Sequence, residues 1–133
     1  MNDVILKELF EHRLEHAKEE LQAGKILYKS NLFKSANSIL YNSLFHSMKA
    51  VLALEPIDFK RHKDVIAYFN KNYIHTEIFP KNMGRRISDA SRIREDSDYD
   101  DEFIVRPEDT FAQIETAEEL IKLTEKYIEV KKI

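Results

Sequence analysis

The stretch LFKSANSILYNSLFHSMKAVLAL, residues Leu32 to Leu54, decides the fold, because its spacing is that of one long helix with almost no charge. Its only formal charges are Lys34 and Lys49, and apolar side chains recur around most of the helix circumference. A helix that is apolar nearly all round is surrounded by protein. The stretch therefore predicts the central helix of a helical domain.

The segments on either side of this stretch also have helical periodicity. We predict helices over residues 2–29, 32–54, 61–73 and 81–96, and a last helix that begins at Pro107, a favourable first helical position. Asn31 predicts a tight turn after the first helix, and Pro56 ends the second. The chain has only 2 Gly and 3 Pro in 133 residues, too few for the turns of a sheet protein. The sequence therefore predicts one all-α domain over residues 1–133, an antiparallel up-and-down bundle of four longer helices and a short one.

Composition excludes several classes of protein. The absence of Cys excludes disulfide scaffolds and thiolate chemistry. The net charge of −3 means that a nucleic-acid partner would need a local basic patch. The longest uncharged stretch, residues 35–48, is polar and shorter than the roughly 18 apolar residues of a membrane span. Charged residues already occupy the first turn of the chain, so we expect no secretory signal, no membrane association and a cytoplasmic location.

Small residues at heptad spacing mark one side of the central helix. Ala36, Ser43 and Ala50 would let another backbone approach closely, and Ile39 lies beside them. We predict that these four residues form the interface of a homodimer.

Two polar patterns in the sequence resemble cation sites. His12 and His16 have a spacing that could hold a metal, but no third ligand follows in a fixed pattern. The acidic loop at residues 96–107 lacks the Gly and the Glu of a calcium loop. We therefore predict no metal site and no cofactor. In that loop Tyr99 is expected to pack inward, and the neighbouring carboxylates are expected to pair with Arg94.

Basic clusters and one histidine remain as candidate functional residues. The cluster Arg61-His62-Lys63 could contact phosphate or could be ordinary helix surface. His46 lies in the least charged helix, where a hydrogen-bonded core or interface role is common. Proton transfer by His46 would need a second group on the same face to carry phosphate charge.

Several motifs together resemble the HEPN family (higher eukaryotes and prokaryotes nucleotide-binding). The run ANSILYNSLFH at residues 36–46, followed by AVL at 50–52, resembles the central helix of that family. The segments KRHKDV at 60–65, FP at 79–80, and Arg94 followed by DYDD at 98–101 resemble it again, in the expected order. The resemblance covers about residues 14–111.

The resemblance implies a helical bundle that pairs through its central helices and has a link to nucleotides or RNA. Many members are metal-independent ribonucleases, often toxins partnered by a small nucleotidyltransferase-like antitoxin. Their motif is an Arg followed, after four to six residues, by a His. The resemblance points to His46 as the candidate catalytic residue, and the candidate nucleotide- or RNA-binding residues are His46, Tyr41, Asn42, Arg61, His62 and Arg94.

This sequence departs from the ribonuclease motif at one position. Ile39 stands seven residues before His46, where the family Arg is expected, and the next three residues offer no cation. We therefore predict a HEPN-like dimer that binds a nucleotide, RNA or a nucleotidyltransferase-type antitoxin, with a degenerate ribonuclease motif. The alternatives are an active metal-independent ribonuclease toxin and a non-enzymatic helical adaptor.

Overall fold

The computed structural model describes residues 2–131, and all regular structure within that range is helical. A π-helical turn, Asn70–Ile74, continues the third helix without a break. The predicted all-α bundle is confirmed. The five α-helices are α1 (Asp3–Lys29), α2 (Phe33–Ala53), α3 (His62–Phe69), α4 (Lys81–Tyr99) and α5 (Pro107–Lys131). None of these helices is both long and apolar enough to cross a membrane.

The turn between α1 and α2 forms where the sequence predicts it. Asn31 takes the left-handed conformation, with φ of 61°. The Asn31 N–H donates to the carbonyl of Tyr28 at 3.0 Å, and the Leu32 N–H donates to the carbonyl of Leu27 at 2.9 Å. This pair of bonds is a Schellman motif, which satisfies the last carbonyls of a helix. It returns the chain directly, so that α2 packs antiparallel to α1.

Helix α2 is the centre of the bundle and contacts α1, α3, α4 and α5. Thirteen of its 21 residues are buried, in keeping with its low charge. The main core gathers around α2 and includes side chains from α3, α4 and α5. A second cluster joins α1 to the ends of α2 and α5.

The small residues of α2 serve packing within the chain, and the predicted dimer contact through them is wrong. Ala36, Ser43 and Ala50 are each fully buried in a single chain. The Ser43 hydroxyl donates to the carbonyl of Ala17 in α1 at 2.7 Å. These residues let the α1 backbone approach α2, so they are not available to a second subunit. A dimer would have to use another surface.

Close approach of α1 also explains one glycine and the position of Ile39. A Cβ on Gly24 of α1 would lie 2.4 Å from Cδ2 of Leu40 and 3.4 Å from Cγ2 of Ile39. Only a hydrogen fits at Gly24 without a shift of the buried Leu40. Ile39 is half-buried at this same contact and faces α1. Its predicted place in a dimer interface is therefore taken, at least in part, by α1.

The acidic segment after α4 differs from its prediction. Helix α4 continues to Tyr99, three residues beyond the predicted end. Ser97 occupies the buried face of the last turn, and Tyr99, two residues later, lies on the opposite face and is 86% exposed. The expectation that Tyr99 packs inward is therefore wrong. Arg94 does pair with Asp98, at 3.8 Å, as predicted.

Candidate functional site

A cleft of about 600 Å³ opens between α2, α3 and α4, and polar side chains form much of its wall. Its size falls within the range of small-ligand sites. The π-helical turn begins at its edge with Asn70, and such turns are frequent at functional sites. The polar and charged residues that line the cleft are Tyr41, His62, Lys63, Asn70, Ser88, Ser91, Arg92, Arg94, Glu95, Asp98 and Tyr99.

Aromatic rings and one guanidinium organise the inner end of the cleft. The His62 ring stacks on the Phe45 ring, with centroids 3.8 Å apart, and lies 5.9 Å from the Tyr41 ring. Cζ of Arg94 lies 4.9 Å from the centroid of Tyr41, within the distance of a cation–π contact. Each residue comes from a different helix: Tyr41 from α2, His62 from α3 and Arg94 from α4. The bundle thus brings together groups that are far apart in sequence.

The electrostatics of this inner end favour an anion. Burial lowers the pKa of His62, and the positive charges of Arg94, His46 and Lys49 lower it further. Burial raises the pKa of the Tyr41 phenol, against the opposing effects of the Ser91 hydroxyl and the Arg94 charge. Both His62 and Tyr41 are therefore neutral near pH 7, and Arg94 supplies the positive charge.

Acidic side chains balance part of that charge. The Nε of Arg94 lies 3.8 Å from Oδ2 of Asp98, too far for a strong hydrogen bond. Arg92 lies 3.8 Å from Asp89 and 3.9 Å from Asp96. The guanidinium of Arg94 thus keeps donors that a ligand oxygen could accept, while the acidic rim limits non-specific binding of polyanions.

Three of the six predicted binding residues meet in the cleft, namely Tyr41, His62 and Arg94. The other three do not line it. Asn42 is half-buried on another face of α2. Arg61 is exposed and forms an ion pair with Asp64 at 2.9 Å.

His46, the third of these, faces α1 instead. Its Nδ1 lies 2.6 Å from Oε1 of Glu20, and its ring meets the His16 ring edge-on at 4.7 Å. Ile39 and His46 are two turns apart, and both face α1. The isoleucine at position 39 offers His46 no positive charge. The groups beside His46 are a carboxylate and an imidazole, where the ribonuclease motif requires a cation.

This packing forms a cluster that sequence reasoning missed. One donor atom from each of His16, Glu20 and His46 lies within 4.8 Å of the other two. The prediction of no metal site depended on the lack of a third ligand near His12 and His16. Glu20 lies four residues after His16 on the same face of α1, and α2 supplies His46. The repeat of four from His12 to His16 to Glu20 was the available signal.

Comparisons with known proteins agree with the fold and place the chain in a family. A "Putative toxin MJ0142" of Methanocaldococcus jannaschii is 29% identical over 127 residues, which cover 96% of this chain and 86% of that protein. A "Putative toxin MJ0605" of the same organism is 31% identical over 94 residues, covering 71% of this chain and 70% of that protein. A "UPF0332 protein" of Thermotoga maritima is 28% identical over 123 residues, covering 92% and 93%. The family model of the HEPN domain matches residues 10–133, and the chain therefore belongs to the HEPN domain family.

Proposed function

We propose that this chain is a toxin-type HEPN protein whose cleft between α2, α3 and α4 binds a nucleotide unit, free or within single-stranded RNA, without efficient cleavage. The observation that carries the proposal is the convergence of Tyr41, His62 and Arg94 from three helices in one cleft. The partly exposed His62 ring can stack on a base, whereas the buried Tyr41 ring positions Arg94, whose guanidinium can bind a phosphate through two hydrogen bonds. The names of the relatives from M. jannaschii support the toxin-type assignment.

The surroundings of His46 support the absence of efficient cleavage. In a metal-independent ribonuclease the developing negative charge at phosphate must meet a positive group, a contribution of about 3 kcal/mol or more. Glu20 places a carboxylate 2.6 Å from the His46 ring instead. This carboxylate would repel a phosphate, so His46 is poorly placed to act on RNA.

Binding to purified protein tests the first part of the proposal. Fluorescence anisotropy or calorimetry with a nucleoside triphosphate and with a short single-stranded RNA would show which form of nucleotide is bound. Arg94→Gln should weaken binding about 10- to 100-fold, because the hydrogen bonds to phosphate lose their positive charge. Arg106→Gln removes the same charge from an exposed site outside the cleft and should leave binding unchanged. If both variants bind nucleotide equally well, or if the native chain binds none, the proposal of a nucleotide-binding cleft is wrong. The non-enzymatic helical adaptor is then the better interpretation.

A cleavage assay tests the second part. Native protein incubated with RNA in the presence of EDTA should release no fragments above background. Cleavage that is lost on His46→Ala would instead establish the active ribonuclease toxin.

A partner protein belongs to the same proposal. Toxin-type relatives suggest an antitoxin, and the family resemblance suggests a small nucleotidyltransferase-like protein for that role. Co-expression of this chain with such a protein encoded beside it should give a complex that co-elutes in size-exclusion chromatography. The elution volume of the native chain on the same column shows whether it forms the predicted homodimer.

A further inference from the structure

The His–Glu cluster, defined as His16, Glu20 and His46, joins α1 to α2, and none of its three residues lines the cleft. We propose that this cluster binds a divalent late first-row transition-metal cation, with Zn²⁺ as the representative ion. Imidazole nitrogen and carboxylate oxygen are ligands that Zn²⁺ uses in proteins, with three protein ligands and an open fourth position in many sites. This proposal does not depend on nucleotide binding.

The geometry of the cluster is close to that of such a site. Three atoms at the corners of a triangle with 4.8 Å sides lie about 2.8 Å from its centre, and zinc ligands lie at about 2.0–2.2 Å. Each donor would therefore move inward by no more than about 0.8 Å. Nδ1 of His46 and Oε1 of Glu20, now 2.6 Å apart, would separate by about 0.7 Å to reach a tetrahedral spacing.

The helices hold the ligands on a rigid frame. His16 and Glu20 are one turn apart on α1, and His46 comes from α2, which the buried Ser43–Ala17 contact fixes against α1. The carboxylate of Glu20 is largely buried, with 13% of the side chain exposed. A largely buried carboxylate needs a positive partner, and a bound cation provides one. His12 stacks on His16 with ring centroids 6.0 Å apart and extends the imidazole surface towards solvent.

A metal titration of the tag-free chain tests the proposal. The protein is stripped with EDTA, exchanged into metal-free buffer at about pH 7.5, where imidazoles are largely neutral, and titrated calorimetrically with Zn²⁺ alone. We expect one cation per chain, a higher Tm with Zn²⁺ that EDTA reverses, and visible absorption bands when Co²⁺ is used. Absence of binding at micromolar Zn²⁺ would overturn the proposal.

Two pairs of variants separate this cluster from adventitious binding. His16→Ala should weaken Zn²⁺ binding at least tenfold, since loss of a ligand costs no less than loss of an outer-shell partner. His75→Ala removes an exposed imidazole elsewhere and should not change it. Glu20→Gln should also weaken binding, whereas Glu19→Gln, at an exposed neighbouring position, should not.

His16→Ala and Glu20→Gln differ in how strongly they could destabilise the fold, and circular dichroism in EDTA checks that both are folded. His16 is exposed, so His16→Ala tests the cluster even if Glu20→Gln is unstable. Unchanged affinity and stoichiometry in His16→Ala would refute the assignment. Arg94→Gln should bind Zn²⁺ normally and His16→Ala should bind nucleotide normally, so failure of one proposal is distinguishable from failure of the other.

Discussion

Replacement of Arg94 by Gln is expected to destabilise the folded protein, in addition to its effect on binding. The guanidinium lies over the Tyr41 ring at 4.9 Å and beside Asp98 at 3.8 Å. A half-exposed cation–π contact contributes about 0.5–1.5 kcal/mol and an i,i+4 ion pair about 0.3–0.5 kcal/mol. The expected loss in free energy of unfolding is therefore about 1–2 kcal/mol, or roughly 3–8 °C in Tm for a chain of this size.

Urea denaturation of a double-mutant cycle measures the Arg94–Tyr41 contact itself. Combination of Arg94→Gln with Tyr41→Leu should show a coupling energy of about 0.5–1.5 kcal/mol, because the two residues touch. Combination with Tyr41→Phe should show almost none, since the ring face remains. Arg106→Gln, a change of an exposed ion pair, should stay within about 0.5 kcal/mol of the native chain.

Two results would refute this reasoning. If the Tyr41→Leu cycle shows no coupling, the guanidinium does not interact with the ring in solution. If the Tyr41→Phe cycle shows as much coupling as the Tyr41→Leu cycle, the interaction is with the phenol oxygen and not with the ring face. In either case the cation–π contact between Arg94 and the Tyr41 ring would not be present in solution.

Three further predictions follow from the packing and the electrostatics. Ser43→Phe should unfold the single chain at every protein concentration, because Ser43 is fully buried against α1; a loss of stability that depends on concentration would restore the dimer interpretation. Gly24→Ala should lower the unfolding free energy, since overpacking at 2.4 Å from Leu40 costs about 1–3 kcal/mol against a gain of about 1 kcal/mol in helix propensity, and Gly84→Ala, whose nearest contact is 3.0 Å, should cost less in the same urea titration. The lowered pKa of His62 means that its ring becomes protonated only below about pH 6.5. A protonated His62 attracts an anion, so nucleotide affinity should rise as pH falls below that value. In calorimetry, His62→Gln should make the affinity less dependent on pH. In the absence of ligand the same lowered pKa makes the protein less stable as pH falls through this range, since the unfolded chain takes up the proton first.

The sequence predicts the helices well because their signals are local. Low charge in α2, the left-handed Asn31 and the first-turn Pro107 each act within a few residues of the chain. The end of α4 was missed because the residues after Asp96 are polar and lack a helix stop signal, so the helix continues to Tyr99. Helix boundaries are in any case defined only to within one or two residues at each end.

The partner of the small stripe on α2 could not be predicted from α2 alone. A row of small residues allows any backbone to approach, whether from the same chain or from a second copy. The deciding information lies in α1, where the Ala17 carbonyl accepts from Ser43 and Gly24 leaves room for Leu40 and Ile39. Pairing of small residues on two helices is visible only when their antiparallel register is known.

The sequence predicts only part of the candidate site, because contacts between helices depend on the topology of the bundle. Tyr41, His62 and Arg94 could be named as separate candidates, but only the topology brings α2, α3 and α4 around one cleft. His46 stays a candidate catalytic residue on the sequence, but its neighbour Glu20 comes from α1 and places a negative charge where the family motif has a positive one. The sequence thus names candidate residues one by one, and the structure shows which of them share a face.

Helix α2 presents one set of residues to the cleft and another set to α1. Tyr41 faces the cleft, and Phe45 stacks on His62 at its inner end, whereas Ile39, Ser43 and His46 face α1. A ribonuclease motif built on positions 39 and 46 would therefore lie on the face that α1 covers. Ile39→Arg would introduce a guanidinium next to the α1 contact at Gly24. His46 does not line the open cleft, but its charge acts on His62, so a variant of His46 should also shift the pH dependence of binding in the cleft.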